Sequence, residues 1–143
     1  MTHFKTLISL VFFVFIVSAC NKNSDMDSSN FIGSWKIIRH TTAVSNGKEV
    51  DNYKTTFSMK FNTNGTCYRI QSTGTDTLEW AVLLKTNSLL IFNGTQGLSG
   101  FKLNILKNEP DAHQWEERFS TIYLVDTAWV PAIVTDVWNV TRQ

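Results

Sequence analysis

The chain is poor in the residues that interrupt or cross-link a fold. Two prolines (Pro110 and Pro131), seven glycines and two cysteines stand among 143 residues. So little punctuation excludes collagen-like and low-complexity architectures and leaves room for long, regular elements. Two cysteines are too few for a disulfide-stapled or cysteine–zinc scaffold. The longest apolar run, Leu7 to Val17, falls short of the roughly 20 residues that a membrane-spanning helix needs. Charge of one sign is also scarce. Thirteen basic and 12 acidic residues give a net charge of +1, so no basic face for nucleic acid or anionic lipid is implied. No Gly-x-Ser-x-Gly, phosphate loop or His-Glu-x-x-His occurs, so no catalytic residue, cofactor or metal is indicated. What the chain does hold in quantity is aromatic: ten Phe, five Trp and three Tyr.

The Leu7–Val17 run has the length of a signal-peptide core, which takes about 7–15 apolar residues; an uncleaved anchor is the competing reading. It closes on Val17-Ser18-Ala19-Cys20, which resembles the lipobox of bacterial lipoproteins. The resemblance implies a signal peptide over residues 1–19, cleavage between Ala19 and Cys20, and acylation of Cys20, with a diacylglyceryl group on its thiol and a further palmitate-type chain on its amine. One chain holds a protein only marginally, whereas two or more anchor it stably. The membrane is then a partner through acyl chains on Cys20. Asn21 follows the cysteine where aspartate would favour the inner membrane, so the expected location is the outer membrane, at its periplasmic face or the cell surface. Residues 20–30 are polar and have little to bury, as a flexible tether does. Cleavage removes Lys5 as the only firm charge and leaves Cys67 without an intramolecular partner.

Residues 31–143 form the expected single domain, and no window in it carries a helical stripe. Alternation with a period of two recurs instead. From Tyr53 to Asn62 the odd positions are Tyr, Thr, Phe, Met and Phe, while the even ones are polar. Asn64-Gly65 signals a hairpin turn into Thr66–Ser72, where Tyr68 and Ile70 share the face assigned to the interior. Leu78, Trp80, Val82 and Leu84 alternate next. Ser88–Asn93 follows, then Phe101, Leu103 and Ile105, then Trp115 to Val125, and Pro131 interrupts before Ile133–Thr141. With Phe31–Thr42 as the first, about eight strands joined by short turns are expected. The fold class is all-β, an eight-stranded antiparallel up-and-down barrel, with a β-sandwich as the alternative.

Phe31-Ile-Gly33-Ser-Trp35-Lys-Ile37 opens the first strand and resembles the Gly-x-Trp signature of lipocalins. The Phe61–Tyr68 hairpin, Trp80, Lys102–Leu106 and the closing Trp138–Arg142 are similar to the small lipocalin-like domains of bacterial lipoproteins. The resemblance implies that Gly33 and Trp35 close one barrel end, that Arg142 covers Trp35 by cation–π stacking, and that a small apolar molecule is bound. The helix that usually follows a lipocalin barrel is missing here.

Among polar residues, Asp111-Ala-His113-Gln-Trp-Glu116-Glu117 looks most like a metal or acid–base site. On a strand only His113 and Glu117 share a face, so the cluster reads as a solvated edge. Cys67 and His40 lack any surrounding motif, and nothing fixes the separation of Asp76 and Glu79. The aromatic residues carry more information. Tyr53, Phe57, Phe61, Tyr68, Trp80 and Phe101 project to one interior in the barrel reading, either as solid core or as the wall of an apolar pocket oriented by tyrosine hydroxyls. Trp129, beside Pro131 in an expected loop, is the candidate for recognition of an envelope protein partner. Two functions are therefore open: a non-catalytic, lipid-anchored binder of a small hydrophobic molecule, with a cavity lined by Tyr53, Phe57, Tyr68 and Trp80; or an interaction module with a filled barrel.

Overall fold

Inward apolar and outward polar residues alternate along almost every strand, so the sheet must bury one face against itself. A computed structural model describes residues 27–94 and 100–143 and resolves this demand with eight antiparallel strands. They are β1 (Gly33–Ser45), β2 (Lys48–Phe61), β3 (Thr66–Gln71), β4 (Gly74–Leu83), β5 (Ser88–Phe92), β6 (Gly100–Glu109), β7 (Ala112–Val125) and β8 (Ala128–Arg142). Each pairs with the next, and β8 returns to pair with β1, so the sheet is a closed up-and-down barrel. The β1–β8 ladder, from Trp35 opposite Arg142 to Val44 opposite Ile133, excludes the sandwich. The signal peptide, the cleavage site at Ala19 and Cys20, and most of the tether lie outside the described residues.

Several local expectations change. Phe31 does not begin the first strand; it ends a 3-10 turn, Ser28–Phe31, capped by the Asp27 carboxylate. Asn64-Gly65 does not make a two-residue hairpin. It sits in a four-residue loop in which the Asn62 amide donates to the Thr66 carbonyl and Asn64 accepts from the Thr66 amide. The tight Asn-Gly turn is Asn46-Gly47, with φ of 50° and 76°. Those left-handed values suit asparagine and glycine and match the twist of the flanking strands. Pro131 does not interrupt β8. It lies beyond the last β1 rung at Ile133, where one side of β8 has no neighbour and a missing N–H costs no ladder bond.

Strand lengths divide the barrel. β1, β2, β7 and β8 have 13, 14, 14 and 15 residues, whereas β3 and β5 have six and five. One tall wall therefore rises above a short one, and the mouth opens over β3–β6. The opposite end is sealed, and the lower barrel is packed solid with Phe31, Trp35, Phe61, Leu103, Trp115 and Trp138 among its buried residues.

Candidate functional site

The sealed end shows why its residue types are needed. Trp35 is fully buried, and its indole N–H donates to the Phe31 carbonyl at 2.7 Å. The Arg142 guanidinium lies 4.5 Å from the Trp35 ring centre, donates to the Pro110 carbonyl at 2.9 Å and sits 3.2 Å from the Asp111 carboxylate. Gly33 adopts a φ of 131°, and a Cβ there would stand 2.8 Å from an Arg142 nitrogen. The backbone thus favours glycine, and any larger residue would also push the end of the Arg142 side chain aside. Gly33, Trp35 and Arg142 come together as a structural plug, not a ligand site.

His113 belongs to this plug. Its ring stacks on Phe31 at 4.7 Å, and Nε2 faces the Asn30 carbonyl at 3.2 Å. Burial lowers its pKa, which keeps the ring neutral. His113 and Glu117 share the interior face, as strand parity requires, but Glu117 lies two rungs higher, directly opposite Asp136. The solvated-edge reading is therefore corrected: His113 is buried and Glu117 faces inward. Cys67 is fully buried, and desolvation pushes its thiol up to about 12. Such a thiol supplies almost no thiolate for nucleophilic attack.

The six expected lining residues do not enclose one cavity. Phe57 meets Trp138 edge-on at 5.6 Å, and Phe61 does the same with Trp80 at 5.3 Å. These three candidates, Phe57, Phe61 and Trp80, are packing residues of the solid core. Tyr68 points outward: it pairs with exposed Lys60 and is 37% exposed, while Cys67 takes the inward position. The expected parity of β3 is thus reversed, and the small Cys67 thiol stands opposite Leu78 on β4. Tyr53 pairs with buried Thr41 but stands at the open rim, 42% exposed. Phe101 borders an opening.

That opening is a cleft of about 470 Å³ at the mouth, where β4 extends past its last pairing with β5 at Glu79 and Phe92. Leu78, Ile91 and Phe101 supply apolar wall, and Arg69 and Asp76 face each other across the β3–β4 ladder. The Arg69 guanidinium donates to one Asp76 oxygen through two nitrogens, at 2.9 and 2.6 Å. Thr75, Thr77 and Asn93 make the rest of the lining mainly polar, so the cleft suits a small molecule that sets an apolar part on Leu78, Ile91 and Phe101 and presents polar groups to the remainder.

Behind Phe101 lies a polar layer. Arg39 on β1 pairs with Asp136 on β8, which is fully buried and also accepts from the Thr41 hydroxyl at 2.5 Å. The same guanidinium sits 5.7 Å from the Phe101 ring centre and 5.5 Å from that of Trp138. Glu117 completes the layer; burial first, and the neighbouring Asp136 second, raise its pKa. Sequence reading passed over Arg39 and Asp136. The available signal was parity, since both occupy inward positions of otherwise apolar alternations, between Ile37 and Thr41 and between Val134 and Trp138. Among the described residues, no group of three or more His, Cys, Asp or Glu side chains gathers as a metal site would require.

Trp129 is not in a loop. It lies on β8, 67% exposed, directly opposite Leu124 on the outer face. It therefore does not plug the barrel.

No protein-family model matches the chain, and neither a curated protein nor a solved structure matches it.

Proposed function

We propose that this chain is a lipid-anchored, lipocalin-like protein of the bacterial envelope, held at the outer membrane by acyl chains on Cys20, and that its barrel mouth binds a small, largely apolar molecule without catalysing its conversion. The observation that supports binding is the mouth cleft bounded by Leu78, Ile91, Phe101 and the Arg69–Asp76 pair. Its size falls in the range of small-molecule sites, roughly 300–1,000 Å³. The non-catalytic reading is supported by the burial of His113 and Cys67 in packed aromatic and apolar surroundings. Anchoring rests on the Val17–Cys20 motif.

The test is native mass spectrometry of the intact protein, extracted gently from its envelope. The expected spectrum carries a covalent lipid mass on Cys20 and a second mass that leaves on denaturation. The second mass should vanish in Leu78→Arg, which fills the cleft. Binding is refuted if the non-covalent mass is absent from the unaltered protein. Anchoring is refuted if Cys20→Ala protein stays in the membrane fraction.

A second reading, an interaction module for another envelope protein, is favoured by the outer face of the β7–β8 hairpin. Ile122 is 62% exposed, Leu124 55% and Trp129 67%, and the ladder places them side by side with Pro131. Exposed apolar clusters of this kind mark contact surfaces. Trp129→Ala should leave stability nearly unchanged while abolishing co-purification of a partner; unchanged co-purification would remove this reading.

A further inference from the structure

The interior holds a row of hydrogen-bond donors that no described residue satisfies. Arg39, Trp138 and Trp115 stand directly opposite one another on β1, β8 and β7, so they occupy one rung of the barrel. Trp138 and Trp115 are 1% and 0% exposed. The Nε of Arg39 and the indole Nε1 atoms of both tryptophans are buried and have no partner among the described residues. A buried N–H without an acceptor costs about 1–3 kcal/mol, so an acceptor brought to this rung would be stabilising. Phe101 separates this rung from the mouth cleft. It meets Trp138 at 5.2 Å on one side and lines the cleft on the other.

We infer that the ligand of the mouth cleft is an amphiphile with an uncharged carbonyl or ester oxygen, which displaces the Phe101 ring from its contact with Trp138 and accepts hydrogen bonds from Arg39 and Trp138. The inference rests on the binding reading above and names its ligand class. Charge selects the neutral acceptor. One rung higher, Asp136 and Glu117 face the same interior, with Arg39 as the cation between them and the rings. A carboxylate head group would meet two carboxyl groups and a guanidinium already engaged by Asp136. A carbonyl needs only the donors.

The experiment titrates the 15N-labelled protein with decan-2-one, decane and decanoate while recording indole N–H resonances, assigned by single Trp→Phe variants. Decan-2-one should move the Trp138 signal downfield and leave exposed Trp129 still. It should bind about fivefold more tightly than decane, as expected for roughly one net hydrogen bond, and Trp138→Phe should erase that preference while keeping a ring in the core. Decanoate should bind no better than decane. If decane and the ketone bind equally and the indole signals stay fixed, the cleft binds ligand but the donor row does not read it, and this inference alone falls. Indole contacts to a long-lived water that the ketone leaves undisturbed would overturn it in the same way. If none of the three probes binds, the binding reading falls and takes the inference with it.

Discussion

Removing the Asp136 carboxylate should be among the most damaging single changes in the chain, and the damage should disappear when Arg39 is removed with it. Asp136 is fully buried and accepts from both the Arg39 guanidinium and the Thr41 hydroxyl. Asp136→Leu leaves Arg39, whose side chain is only 23% exposed, as an uncompensated charge inside the barrel. Breaking a buried pair in this way costs about 3–5 kcal/mol, whereas replacing both partners by apolar groups is often neutral. A domain of this size loses about 4 °C of melting temperature per kcal/mol, so Asp136→Leu should melt about 12–20 °C lower. The Arg39→Met/Asp136→Leu double variant should melt close to the unaltered protein. The assay is urea unfolding followed by the fluorescence of the buried tryptophans, with both single variants completing the cycle. Glu117 gives a second readout. Asp136 is one cause of its raised pKa, so Asp136→Asn should lower the Glu117 titration midpoint while burial keeps it above the ordinary value. A loss under about 1 kcal/mol for Asp136→Leu, or a double variant as unstable as the two single losses combined, would refute the buried-pair account.

Two pH effects of opposite sign follow from the same interior. Glu117 has a folded pKa above its ordinary value of 4.5, so its stabilising contribution is complete below 4.5 and is lost as pH rises through the folded value; Glu117→Gln should flatten that decline in a series of melting curves. His113 has a folded pKa below 6.5, so its contribution is present above 6.5 and is lost as pH falls through the folded value; His113→Phe, which keeps the stack on Phe31, should make the barrel less sensitive to acid. At the sealed end, Trp35→Ala should cost about 3–5 kcal/mol as a buried large aromatic. Gly33→Ala should also destabilise, and pairing it with Arg142→Ala should recover only the part due to the clash, because the positive φ remains unfavourable. Equal stability of Gly33→Ala and the unaltered protein would refute the account of that corner.

The sequence by itself determined the fold class. Alternation is a local property, and it fixed the number of strands and the inward faces of β2 and β6, although β2, β4 and β8 begin four or five residues before the alternation shows. The sealed end formed by Gly33, Trp35 and Arg142 was implied by the resemblance to the Gly-x-Trp signature and not by the alternation. Tertiary structure decided the rest. Whether Tyr68 or Cys67 points inward depends on the cross-strand register with β2 and β4, and a one-residue difference exchanges the two faces. Whether Phe57, Phe61 and Trp80 line a cavity or fill it depends on how rings from separate strands meet, and close packing leaves no gap between them. Arg39 and Asp136 lie far apart in the chain and become a pair only when β8 closes on β1. The cleft exists because β5 ends before β4 does, which is a property of neighbouring strands and not of any single one.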